Sequence, residues 1–112
     1  MAYNEQRTEI VRALLAATPN VTERKMFGSI GFLVNGKLCI GVGDHDDHVM
    51  MVRVGNDAYI AAIKTPGAHP AIMRGKEMKG YVFLDEDAVR EEAQIKRWVE
   101  LALAYNRELT NQ

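Results

Sequence analysis

The pattern of apolar and polar positions predicts helices at both ends of the chain. Between Glu5 and Ala17 the apolar residues recur at spacings of one, three and four, which indicates an amphipathic helix that Asn4 can cap. A long final helix is predicted, which Asp85 or Asp87 can cap. Its apolar face carries Val89, Ala93, Ile95, Trp98, Val99, Ala102, Leu103 and Asn106.

The middle of the chain has the pattern of a hairpin followed by a third strand. Asn35-Gly36 is typical of a two-residue hairpin turn, so Ile30 to Val34 and Lys37 to Val42 are predicted to pair as antiparallel strands. The polar segment Gly43 to His48 then leads to a third strand at Val49 to Val54.

A short helix and one more strand are predicted before the final helix. Asp57 to Lys64 is expected to be helical with Asn56 as its cap, and Gly80 to Leu84 to be a strand. Thr65 to Lys79 contains two prolines and two glycines, which favours an ordered surface loop of the kind that often carries function.

The element order α-β-β-β-α-β-α predicts an α+β fold, with a small antiparallel sheet packed against helices on one face. The length of 112 residues is that of a single domain, expected to span residues 1–112. Hydrophobic residues make up 47% and charged residues 26%, which excludes a disordered chain.

Cysteine content and hydropathy favour a cytoplasmic protein. Cys39 is the single cysteine, so an intramolecular disulfide and a multi-cysteine zinc site are excluded. It lies between Leu38 and Ile40, where it is expected to be a core residue rather than a nucleophile. We expect neither secretion nor a membrane location, because the N-terminus lacks a signal pattern and no apolar run approaches about 20 residues.

The net charge of −1 conceals an uneven distribution. Residues 24–79 hold eight basic side chains against five acidic ones, whereas residues 80–112 hold four against seven. The central excess is small for a protein that depends on phosphate contacts.

Four short stretches form a family pattern. They are Arg24 to Phe32 (RKMFGSIGF), Asn35-Gly36-Lys37, Met51 to Val54 and Met78 to Tyr81. Together they resemble the N-terminal domain of the TfoX/Sxy family of bacterial competence regulators, from about Val21 to about Leu103. Ser29 departs from that pattern, since the family more often has glycine there.

The resemblance implies a regulatory module. Full-length members of that family help to activate competence genes, with the cyclic-AMP receptor protein or through a downstream regulator, and carry a second, helical C-terminal domain. We expect this chain to be a stand-alone version of the N-terminal module, without that second domain.

The loop from Asp44 to His48 is the candidate metal site. His45 and His48 are three residues apart, and with carboxylates such as that of Asp44 they could bind zinc, nickel or manganese. A solvated turn uses the same residue types, and this interpretation is favoured, so no metal and no other cofactor are predicted.

A basic patch is the candidate interaction site. It would combine Arg24, Lys25, Arg53, Arg74 and Lys76 with Lys79, and Phe27 and Tyr81 could then stack on nucleic-acid bases. The favoured alternative is that these charges solubilise strand edges.

Methionines offer a third candidate surface. Met26, Met50, Met51, Met73 and Met78 could line an adaptable binding groove, although methionine also fills irregular cores. Trp98 is expected to be a packing anchor.

No catalytic constellation is recognisable, so the predicted function is that of a non-enzymatic regulatory module that binds another protein or itself. Two alternatives are kept. One is a nucleic-acid-associated accessory module that uses the basic patch, and the other is a metal-binding or small-molecule enzyme at Asp44 to His48.

Overall fold

A computed structural model describes residues 4–26, 28–45 and 47–110 of the protein. The helices are α1 (Glu5–Leu14), α2 (Asn56–Ala62) and α3 (Glu92–Thr110), and a short 3₁₀ helix lies at Glu86–Ala88. The strands are β1 (Val21–Met26), β2 (Ser29–Val34), β3 (Lys37–Val42), β4 (Met50–Arg53), β5 (Ala68–Met73) and β6 (Lys76–Leu84).

The strands form one antiparallel sheet in the order β1-β2-β3-β4-β6-β5. Its two edges are therefore β1 and β5. The predicted α+β class is confirmed, and the predicted helices and strands occur in the predicted order.

One face of the sheet packs against the helices. Alternate residues of the central strands point to this face, and they form the core with apolar residues of all three helices. The strand residues of this core include Ile30, Phe32, Ile40, Val42, Met50, Val52, Val82 and Leu84, and the helix residues include Val11, Tyr59, Ile95, Trp98 and Val99.

Two strands were not predicted. The prediction that Thr65 to Lys79 is an irregular loop is wrong, because most of it is the hairpin of β5 and β6. Its turn is Arg74-Gly75, where both residues have positive φ, at 54° and 75°. β1 was missed because only its end residues are partly buried, so it lacks an alternating apolar pattern.

The helix boundaries follow their caps. Asn4 caps α1 as predicted, since its side chain accepts a hydrogen bond of 2.8 Å from the Arg7 amide. The prediction that Asn56 caps α2 is wrong, because Asn56 is the first helical residue and the cap position is Gly55. Asp85 caps the 3₁₀ helix through the Asp87 amide, and α3 begins later.

Buried hydrogen bonds fix α3 against the rest of the fold. Trp98 Nε1 donates to the Ala88 carbonyl at 3.2 Å, which confirms Trp98 as a packing anchor. Asn106 Nδ2 donates to the carbonyl of Val34 at 3.1 Å, so a side chain of α3 is tied to β2. The first bond ties α3 to the 3₁₀ helix, and the second ties it to the sheet.

None of the helices formed by residues 4–26, 28–45 and 47–110 has the length and apolar character needed to cross a bilayer.

Candidate binding groove on the open face of the sheet

The face of the sheet opposite the helices carries an apolar groove. Its volume is about 470 Å³. It extends across the sheet from β1 to β5, because both edge strands contribute lining residues. The apolar side chains that line it are Met26, Leu38, Met51, Ile72, Met73 and Phe83, and Ile30, whose side chain is in the core, also borders it. We call this surface the open-face groove.

The floor of the groove is made by two paired glycines. Gly31 of β2 lies directly opposite Gly41 of β3, so no side chain rises from the centre of the sheet at this point. The methyl end of Met26 covers Gly31, where an added Cβ would come within 2.5 Å of it. At Gly41 an added Cβ would lie 3.9 Å from the nearest atoms of Met51, which is an ordinary contact distance.

One rim of the groove exposes large apolar side chains. Ile72 and Met73 of β5 are 48% and 41% exposed, although most side chains of this size are buried in the core. Contiguous apolar surface of this kind is typical of binding sites. Methionine adapts to ligands of different shape, because its side chain is unbranched and polarisable.

A stack of three rings lines part of the groove. The His48 ring lies nearly parallel to that of Phe83, with 3.6 Å between ring centroids, and His45 stacks on His48 at 4.6 Å. Ser29 Oγ lies 2.9 Å from His45 Nε2, and His48 Nδ1 lies 2.7 Å from a carboxylate oxygen of Asp47.

The protonation of His48 follows from its packing. Desolvation lowers the pKa of His48 below its usual value, although the neighbouring Asp47 opposes the shift. The hydrogen bond from His48 in turn lowers the pKa of the Asp47 carboxyl. We therefore assign neutral His48 with its proton on Nδ1, which donates to the Asp47 carboxylate.

The candidate metal residues are divided among other partners. Asp44 faces Arg7, with 3.9 Å between its Oδ1 and the guanidinium NH1, while His45 and His48 bond to Ser29 and Asp47. Within residues 4–26, 28–45 and 47–110 no group of three or more His, Cys, Asp or Glu side chains is arranged to hold a metal ion.

The candidate basic residues lie near opposite edges of the sheet. Arg24 and Lys25 belong to the edge strand β1, whereas Arg74 forms the β5–β6 turn and Lys76 begins β6. In the strand order β2, β3 and β4 lie between these two groups. Phe27, which was predicted to stack on bases beside this patch, lies outside the described residues.

Arg53 has a separate environment on β4. Its guanidinium carbon lies 5.2 Å from the ring centroid of Tyr81 and 5.4 Å from that of Tyr105, so it makes cation–π contacts with both rings. Tyr81 pairs with Arg53 across the strands, and Tyr105 reaches it from α3. Arg53 lies two positions after Met51 on the same strand and therefore shares its face.

The prediction that five methionines line a binding groove is correct for three of them. Met26, Met51 and Met73 line the open-face groove, whereas Met50 is fully buried in the core. Met78 is partly buried and lies outside the lining. The other lining residues were not predicted, although strand alternation places Phe83 and Leu38 on the face opposite their core neighbours.

Cys39 is a core residue, as predicted. It is 1% exposed and is the extra residue at an irregularity in the pairing of β2 with β3. Burial raises the pKa of its thiol to about 11, although the nearby Arg53 charge acts in the opposite direction.

Comparison with protein families gives one match. The TfoX N-terminal domain matches residues 13–105, which is most of the 112-residue chain. The chain belongs to the TfoX N-terminal domain family. Comparisons with curated proteins and with solved structures give no significant match.

The family match confirms the resemblance that rested on Arg24 to Phe32 and the later stretches. The matched range contains every residue that lines the open-face groove, from Met26 to Phe83. The groove is therefore a feature of the TfoX N-terminal domain portion of this chain.

Proposed function

We propose that this TfoX N-terminal domain is a non-enzymatic regulatory module that binds an apolar segment of a partner protein in the open-face groove. The observation that supports the proposal is the groove itself, with its glycine floor, methionine walls and exposed Ile72 and Met73. Burial of such surface on binding contributes roughly 25 cal/mol per Å² before the costs of association.

The composition of the walls favours a protein segment over a rigid small molecule. Met26, Met51 and Met73 come from three different strands and can repack around side chains of different shape. A groove that runs from one edge strand to the other also suits an elongated ligand. A regulatory module that contacts partners through short segments would need such a surface.

A competence-related role would follow from family membership combined with such binding. Members of the TfoX/Sxy family act in the activation of competence genes, and a partner in the transcription machinery fits the present proposal. The interaction, rather than a reaction, is the proposed activity.

The test compares two exposed isoleucines. Ile72→Asp places a charge on the groove rim, and Ile60→Asp places the same charge on α2, where Ile60 is 59% exposed and outside the groove lining. Both positions are exposed, so both variants should fold, which the fluorescence of Trp98 can verify.

We would immobilise the wild type and both variants and identify the proteins that each retains from cells carrying this gene. A partner retained by the wild type and by Ile60→Asp, but lost with Ile72→Asp, would support the proposal. Retention that is equal on all three proteins, or lost equally with both variants, would contradict it.

A further inference from the structure

The charges around the open-face groove indicate the chemistry of its occupant. On both faces of the sheet together, two acidic residues and seven basic residues lie on the strands or in the β5–β6 turn. The acidic ones are Glu23 and Glu77, and the basic ones are Arg24, Lys25, Lys37, Arg53, Arg74, Lys76 and Lys79. Lys25 and Lys37 pair with the core residues Ile30 and Val34 and therefore share the helix face.

Both acidic side chains are engaged from the helix side. Arg12 of α1 donates to the Glu23 carboxylate at 2.6 and 2.7 Å, and this hydrogen bonding lowers the pKa of Glu23. The Tyr59 hydroxyl of α2 donates to Glu77 at 2.7 Å. The charge of Glu23 is therefore balanced by Arg12, whereas Glu77, which pairs with Ile72 across the strands, has a neutral partner and leaves the basic residues in excess.

Three arginines lie next to groove-lining methionines. Arg24 is two positions before Met26, and it pairs with Gly31 of the groove floor, which places both on the same face. Arg53 is two positions after Met51, and Arg74 directly follows Met73.

These arginines lack acidic partners within the part of the chain that the structure describes. None of the three forms an ion pair with a carboxylate there, whereas Arg7 pairs with Asp44 and Glu86, and Arg90 pairs with Asp87. Among the described residues that line the groove, Asp47 is the acidic one. Its carboxylate accepts a hydrogen bond from His48.

We infer that the open-face groove binds a protein segment in which apolar side chains are interleaved with aspartate or glutamate. The inference rests on the proposed function and specifies its partner. The apolar side chains would occupy the groove, and the carboxylates would meet Arg24, Arg53 and Arg74 at its margins. A second copy seated face to face is disfavoured, because it would place these arginines against their own equivalents.

The experiment uses three synthetic peptides labelled with fluorescein. All carry the same leucine and phenylalanine residues, interleaved with aspartate, asparagine or lysine. Fluorescence anisotropy with the full chain should give the tightest binding for the aspartate peptide and the weakest for the lysine peptide. Raising the salt from about 50 mM to about 200 mM should weaken only the aspartate peptide.

Charge reversal identifies the residues involved. Arg24→Glu and Arg74→Glu should each weaken the aspartate peptide roughly three- to tenfold and strengthen the lysine peptide. Arg97→Glu is the matched control, because Arg97 is exposed on α3 and outside the groove lining, and it should leave all three affinities unchanged. Arg53 is left intact because its ring contacts contribute to the fold.

The outcomes separate this inference from the proposed function. Equal binding of all three peptides, abolished by Ile72→Asp, would overturn the charge inference and leave the groove as a binding site. Peptide binding that Ile72→Asp does not affect would overturn both. Failure of every peptide, together with salt-sensitive binding of duplex DNA that Arg24→Glu weakens, would also overturn both and favour a nucleic-acid partner.

Discussion

A substitution at Gly41 separates the contribution of the groove floor to ligand binding from its contribution to the stability of the fold. Gly41 is the second-last residue of β3 and pairs with both neighbouring strands, and glycine at a paired strand position usually costs stability relative to alanine, by roughly 0.5 to 1 kcal/mol. An added Cβ would meet only Met51, at 3.9 Å, which is a favourable contact. Gly41→Ala should therefore stabilise the protein by about 0.5 to 1 kcal/mol.

Urea unfolding followed by the fluorescence of Trp98 measures this effect, since Trp98 is the single tryptophan and is buried. The midpoint should rise by roughly 0.5 M urea, and the melting temperature should rise by roughly 2 to 6 °C. The same methyl group would occupy the groove floor, so binding of a groove ligand should weaken by about tenfold.

Gly43→Ala is the matched control in the same region. An added Cβ there would lie 2.7 Å from the Cβ of Ser29 and 3.2 Å from His45 Nε2, so this variant should lose stability. A Gly41→Ala variant that unfolds at lower urea than the wild type would refute the description of an open floor. Unchanged ligand binding by a stabilised Gly41→Ala would refute the role of the floor in binding.

Three further predictions test the thiol, the histidine stack and the helix attachment. Because burial raises the pKa of Cys39 to about 11, its thiol should not react with iodoacetamide at pH 8 until urea unfolds the protein, and rapid native labelling would contradict its placement. Burial lowers the pKa of His48, so at acidic pH the unfolded state binds more protons than the folded state. The free energy of unfolding should therefore fall as the pH drops below about 6.5 and through the lowered pKa of His48. A His48→Gln variant that shows the same fall would argue against His48 as its cause. Asn106→Ala leaves the Val34 carbonyl without its buried donor and should cost about 1 to 3 kcal/mol by urea unfolding, whereas a cost below about 0.5 kcal/mol would show that this bond does not anchor α3.

Local sequence signals predicted the elements that have a strong periodicity or a strong turn. The spacing in α1 and α3 and the Asn35-Gly36 turn are properties of neighbouring residues, and the structure contains all three features. β1 and β5 carry weaker signals, because an exposed edge strand needs no apolar alternation. The turn at Arg74-Gly75 was missed because arginine is an uncommon residue at a positive φ.

The candidate site depended more on tertiary structure. The sequence alone determined the fold class, the family and the presence of several methionines between residues 26 and 78. It could not separate Met50, which lies in the core, from Met51, which lies in the groove, without the strand boundaries and register, because a shift of one residue exchanges the two faces.

The groove itself was decided only by the tertiary structure. Met26 and Met73 are distant in sequence and belong to opposite edge strands, yet both line it. Gly31 and Gly41 make a floor only because the register of β2 with β3 places them opposite each other. Such a surface depends on pairing between segments that are distant in sequence. Sequence patterns miss it because the periodicity of one strand carries no information about which strands pair with it or in which register.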